Sequence, residues 1–228
     1  MVETLPYDIV VDGWLVPDQP LKMIARGQQT DIPVMAGSTD RELSIYVAGY
    51  PDRSAQAFRE WAKRRYAPVA DDVLLIFPAP SSGDASESFI RAGTELIIAA
   101  PVRWLAEATS KKTRKTYLYR VNWAFGTQGG RELGAFHGID VALLLRIPGT
   151  PWDESAEVMA RVMRQYWVQF ARTGDPNGPG LTTWPAYDSA TASYLELGTP
   201  TRPAADLQND AFRLIQRLYA ARLARLAR

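Results

Sequence analysis

An α/β fold with few, mainly parallel strands among many helices is what this sequence predicts, and three observations carry it. Short runs rich in apolar, β-branched or aromatic residues occur at Ile32–Gly37, Lys115–Val121 and Ser193–Leu197. Between and after them lie longer segments whose apolar residues recur at the helical period. Strands that alternate with helices run parallel, because a crossover helix returns the chain to the same end of the sheet. No internal repeat, low-complexity stretch or linker divides the 228 residues, so residues 1–228 are expected to belong to a single domain or to part of one.

Taken in order, residues 2–20 hold Pro6, Gly13, Pro17 and Pro20, which block long helices and predict extended segments and turns. Leu21 to Gly27 reads as a short helix closed by its glycine. The first strand, Ile32–Gly37, is too short and too apolar for a surface helix. Ser54 to Tyr66 places Ala57, Phe58, Trp61, Ala62 and Tyr66 on one helical face ahead of Pro68. Two further helices are expected, Glu87–Ala100 and, after Pro101, Val102–Thr109. Aromatic and β-branched residues make Lys115–Val121 the second strand. Glu154–Arg172 carries Met159, Val162, Met163, Tyr166, Trp167 and Phe170 on a broad apolar face and stops at the turn cluster Gly174–Gly178. After the third strand, Asp210–Arg228 forms a closing helix whose stripe is Phe212, Ile215, Tyr219, Leu223 and Leu226, flanked by five arginines.

Composition excludes several classes of function. Apolar residues at 46% and charged residues at 22% describe an ordinary globular chain. Twenty-six basic against 25 acidic residues leave no global field to attract nucleic acid or an anionic membrane. Cysteine is absent, so no disulfide holds the fold, which slightly favours a reducing cytoplasm over export. The first seven residues lack a basic segment followed by an apolar one, and no run of 18 apolar residues occurs, so neither a signal peptide nor a membrane span is expected in this chain.

His137 is the one histidine, so a general base working near neutral pH falls to it. A lone histidine is more often structural, but Gly134 and Gly138 flank it in Leu133–Asp140, suggesting a constrained loop. Glu42 follows the first strand within Ala36–Leu43. In open α/β sheets that position lies in the crevice beyond the carboxyl ends of the strands. A solvated loop carboxylate is the plainer reading of Glu42, and Asp40 competes with it for the same role.

Four segments stand out in order: Val11-Asp12-Gly13 through Pro17, Ile32 through Glu42, Leu133-Gly134-Ala135-Phe136-His137-Gly138, and Trp167 through Asn177 with Trp184-Pro185 and Tyr187. Together they resemble the type-B carboxylesterase and cholinesterase family in its bacterial para-nitrobenzyl-esterase-like form. The resemblance implies the C-terminal part of an α/β-hydrolase fold and hydrolysis of a small-molecule carboxylic ester without a cofactor. It also implies a Ser-Glu-His triad with Glu42 as acid and His137 as base. Three positions depart from the family pattern: Arg41 stands for an acidic residue, Leu43 for the usual glycine, and Asp140 where glutamate is common. The Leu43 change is expected to bear on the backbone that holds Glu42.

The nucleophile of this fold sits in a Gly-x-Ser-x-Gly turn, and none of the serines of this chain lies in one. The His-Gly-Gly oxyanion segment is absent as well. Base and acid alone have nothing to activate, so this chain is expected to be inactive by itself. It is also expected to need a complementary N-terminal half, or to self-associate, because its strands would otherwise have unpaired edges. The competing reading is a non-catalytic interaction module derived from the same fold, and retention of Glu42 and His137 favours the hydrolase. Trp104, Trp123 and Phe125 are candidates either for lining an entrance or for core packing.

Overall fold

Four strands form one sheet in the computed structural model, which describes residues 9–205 and 209–226. The turns expected over residues 2–8 and the last two residues of the closing helix lie outside the described residues. In chain order the elements begin with α1 (Pro20–Ala25), β1 (Val34–Thr39), α2 (Ser44–Val47), α3 (Ala55–Arg65), α4 (Ala70–Ile76), α5 (Ser86–Gly93) and α6 (Ala100–Ser110). They continue with β2 (Thr116–Asn122), α7 (Gln128–Leu133), α8 (Ile139–Leu145), α9 (Glu154–Thr173), β3 (Tyr194–Gly198), β4 (Arg202–Ala204) and α10 (Asn209–Leu226).

The sheet order is β1-β2-β3-β4. The first three strands are parallel, Ala36 opposite Leu118 and Val121 opposite Leu197, and β4 turns back antiparallel to β3. The parallel core follows the sequence expectation; β4 was not foreseen. Pro203 in its centre argues against a strand, yet β4 is an edge, where the missing N–H costs no ladder bond. At the other side β1 pairs with β2 alone, so among the described residues its outer edge is open.

Local chemistry explains the helix ends. Ser54 caps α3 by accepting from the Ala57 N–H at 3.1 Å, and Asp153 caps α9 by accepting from the Ala156 N–H at 2.8 Å. Gly174, at φ 70°, closes α9 in the left-handed conformation. Where two separate helices were expected between residues 87 and 109, one continuous run occurs, with a π-helical turn, Thr94–Ala99, joining α5 to α6. Pro101 has no N–H for an α-helical ladder, and the wider turn ahead of it takes up that mismatch.

Three apolar clusters cover the sheet and its flank. The first gathers Tyr117, Val121, Leu195 and Leu197 of the sheet with Ile139, Leu143, Met159, Met163, Tyr166 and Trp184. The second joins Leu43, Phe58, Trp61, Phe89 and Leu96 with Phe212 and Ile215 of α10. The smallest packs Leu118 and Tyr194 of the sheet against Ala106 and Tyr187. Trp123 and Phe125 are buried in the first cluster and Trp104 packs on Tyr219, so all three serve packing. The stripe of α10 is buried at Phe212 and Ile215 and half-buried at Tyr219, Leu223 and Leu226. No helix among the described residues is long and apolar enough to cross a membrane.

Gly37 shows how closely neighbouring strands pack, being the register partner of Tyr119 across β1 and β2. A Cβ there would lie 2.3 Å from the ring of Tyr119, whose hydroxyl is tied to Asp140. Gly37→Ala is therefore expected to destabilise the fold by about 1–3 kcal/mol, as overpacking does. Urea unfolding of the variant measures it, and an unchanged midpoint would show that the ring yields freely.

Candidate active site

The loop that carries Glu42 begins where β1 ends. Parallel pairing carries β1 and β2 together to Thr39 and Val121, and the Asp40 N–H extends the ladder by donating to the Val121 carbonyl at 2.9 Å. The next residue switches partner: the Arg41 N–H donates to the Ala135 carbonyl at 2.9 Å, and Arg41 bridges Phe136 in parallel register. The loop carrying residue 42 is thus stitched to the loop carrying residue 137, although 95 positions separate them.

Gly134 makes that stitching possible. Its φ is 67°, a region L side chains rarely adopt, and a Cβ on it would meet Arg41 Cδ at 2.4 Å. Beyond it Ala135 and Ile139 are buried on either side of the histidine. Gly138, also at positive φ, begins α8.

Glu42 and His137 meet there. Glu42 Oε2 lies 2.6 Å from His137 Nδ1, and Glu42 Oε1 accepts from the Thr39 N–H at 2.6 Å. Both carboxylate oxygens are therefore engaged, and the residue is only 3% exposed. The imidazole is different, with its side chain 50% exposed. The Tyr46 ring lies beside it, centroid to centroid 5.7 Å. A buried carboxylate thus fixes one ring nitrogen of an imidazole that solvent reaches.

The competing carboxylate is occupied elsewhere. Asp40 Oδ1 accepts from Arg120 Nε at 2.8 Å, and Arg120 Nη2 donates to Glu95 Oε1 at 2.7 Å. Burial works against the charge of Arg120, but Glu95 and Asp40 outweigh it and hold the guanidinium above its ordinary pKa. Neither Arg120 nor Glu95 stood out in the sequence. An arginine on the same strand face as Leu118, inside an otherwise apolar run, was the available signal.

The three departures from the family pattern find partners or room. Arg41 forms a two-pronged ion pair with Glu87, both distances 2.9 Å. Leu43 has φ −87° and ψ −4°, ordinary for any residue, so the backbone holding Glu42 is not strained by it. Its side chain packs on Gly93 and helps wall a cavity of ≈ 450 Å³ with Tyr50, Trp61 and Phe89. Asp140 accepts from the Tyr119 hydroxyl at 3.0 Å. Burial first, and then Asp140, push the Tyr119 phenol far above its usual pKa, so it remains a donor.

The sequence profile of the carboxylesterase family matches residues 1–215. Liver carboxylesterase 1 of Oryctolagus cuniculus is 24% identical over 95% of this chain, and para-nitrobenzyl esterase of Bacillus subtilis (strain 168) is 26% identical over 84% of it. The chain spans 42% and 39% of those two proteins' lengths. A solved PNB esterase structure superposes with a TM-score of 0.73 at 22% identity, covering 90% of this chain and 42% of that one.

Proposed function

The chain belongs to the carboxylesterase family, its sheet and helices forming part of an α/β-hydrolase fold, and from that premise we propose that it serves the hydrolysis of small carboxylic esters. In this reading Glu42 is the acid and His137 the base of a Ser-Glu-His triad. The observation that carries it is the 2.6 Å contact between a buried carboxylate and the one imidazole of the chain.

That contact engages Nδ1, so Nε2 is the nitrogen left to accept a serine proton. As the serine oxygen bonds to the ester carbonyl carbon, Glu42 stabilises the imidazolium that forms. As the ester C–O bond breaks, Nε2 gives the proton to the departing alkoxide, which leaves as an alcohol while the acyl group stays on the serine oxygen as an acyl-enzyme. Water repeats the sequence: Nε2 takes its proton as the water oxygen bonds to the acyl carbon, then the acyl–serine bond breaks, Nε2 returns the proton to the serine oxygen and the carboxylic acid leaves.

Serine and oxyanion donors are proposed to come from a complementary N-terminal half of the same domain, this chain being its C-terminal portion. The open edge of β1 suits such a partner, since an unpaired edge accepts another strand. Ahead of β1 in the chain, Trp14 is 87% and Leu15 77% exposed, apolar area that a partner would cover. Self-association through the same edge is the other way of covering it.

The test is to assay p-nitrophenyl ester hydrolysis by the chain alone and by the chain mixed with an N-terminal half carrying Gly-x-Ser-x-Gly. The chain alone is expected to show only the background rate, and the mixture to turn over. An inert mixture that has nevertheless formed a complex would overturn the catalytic reading in favour of an interaction module.

A further inference from the structure

Arg120 is held by two carboxylates, and only one of them is needed to balance its charge. Glu95, buried with it, already supplies an opposite charge at 2.7 Å. Asp40 adds a second bond at 2.8 Å from a side chain that is 42% exposed. A half-exposed ion pair contributes little to stability in general. What Asp40 adds is a tether, because it sits two residues before Glu42 on the acid loop.

The other end of that loop is tied to the same place. Glu95 belongs to the π-helical turn Thr94–Ala99, and its neighbour Thr94 accepts at Oγ1 from the Leu43 N–H at 3.4 Å. Gly93, just before the turn, leaves the space that the Leu43 side chain fills. Residues 40 and 43 are thus both fastened to one helical irregularity, with Glu42 between them. Such turns are costly to form and collect at functional sites. None of these contacts touches Glu42 or His137.

Resting on the triad reading above, we propose that Asp40 is a positioning residue: through Arg120 it locks the acid loop to the π-helical turn and so holds the Glu42 carboxylate in line with His137 Nδ1. A hydrogen bond of 2.6 Å depends on direction as well as distance. Losing the Asp40 side-chain anchor loosens the loop, which the backbone bonds to Val121 and Ala135 and the Arg41–Glu87 pair still hold in place.

The lone histidine makes this directly observable. In the 228-residue chain labelled with ¹⁵N-histidine, the Nδ1–H proton should give one low-field resonance that exchanges slowly with water. Asp40→Asn keeps the buried Arg120–Glu95 pair and is expected to leave the melting temperature nearly unchanged. It should nevertheless speed exchange of that proton several-fold or broaden it away, and Asp40→Glu should restore it. Arg120 variants are less informative, since they strand Glu95 as a buried unpaired charge. A resonance unchanged in Asp40→Asn, whether or not the melting temperature falls, would overturn the proposal alone. If the unsubstituted chain lacks the resonance, or Glu42→Gln leaves it intact, the Glu42–His137 pairing fails and this inference falls with it.

Discussion

Substituting His137 with alanine is expected to lower kcat of the reconstituted esterase by about 10⁴- to 10⁶-fold, the range that follows loss of a triad base in serine hydrolases. The loss should fall on kcat rather than KM, because the imidazole acts on the proton in flight and contributes little to holding the ester. Folding should be spared, since the side chain is half exposed and its close polar partner among the described residues is Glu42. Glu42→Gln tests the same contact from the other side. A carboxamide can turn its NH₂ toward Nδ1, which favours the opposite imidazole tautomer and removes the negative charge that steadies the imidazolium. A loss of about 10⁴-fold is expected. If either variant retained activity within tenfold of the parent, the base or the acid would have to be sought elsewhere.

Asp40 is the informative control in that series. By sequence position it was as good a candidate for the acid as Glu42, both lying just beyond the first strand. The fold separates them: Asp40 turns to Arg120 at 2.8 Å while Glu42 turns to His137 at 2.6 Å. Alternation along extended backbone sends residues 40 and 42 to the same side only while the strand continues. It ends at Thr39, and the loop then directs each carboxylate by its own hydrogen bonds.

The same distinction separates what the sequence made legible from what it did not. β1, β2 and β3 were readable because their apolar runs are local, and α9 because Met159, Met163 and Tyr166 recur at one helical face. Glu42 and His137 were readable from the loops that carry them and from the family resemblance. The Arg120–Glu95 pair was not, because a charge in a strand or helix ordinarily marks a solvated face, and only tertiary pairing reveals that both are buried. The short helices α2, α4, α7 and α8 were not foreseen either: each has fewer than eight residues, too few for a period to declare itself. The π-helical turn was missed because Pro101 reads equally well as the start of a separate helix, and nothing local tells that from a wider turn in a continuous one.

Trp184→Ala should give the largest loss of stability, about 3–5 kcal/mol by urea unfolding, as for other fully buried aromatic truncations. The indole is 1% exposed and lies within 5.4–6.1 Å, centroid to centroid, of the rings of Tyr117, Tyr119, Tyr166 and Trp167. Its Nε1–H donates to the Leu118 carbonyl at 3.0 Å, and Asn177 clamps its backbone by accepting from the Trp184 N–H at 2.7 Å and donating to its carbonyl at 3.0 Å. Trp184→Phe should cost less, about 1–3 kcal/mol, keeping most of the packing but leaving the Leu118 carbonyl without that partner. The consequence reaches the site by a short route. Tyr119 packs on Trp184 and holds Asp140 in the first turn of α8, three residues after His137. Loosening the indole should therefore weaken the imidazole's placement along with the fold, so activity should fall before the global transition in mild urea. A Trp184→Ala chain that loses under 1 kcal/mol would show that the four surrounding rings close over the space, and that the corner does not support the histidine loop.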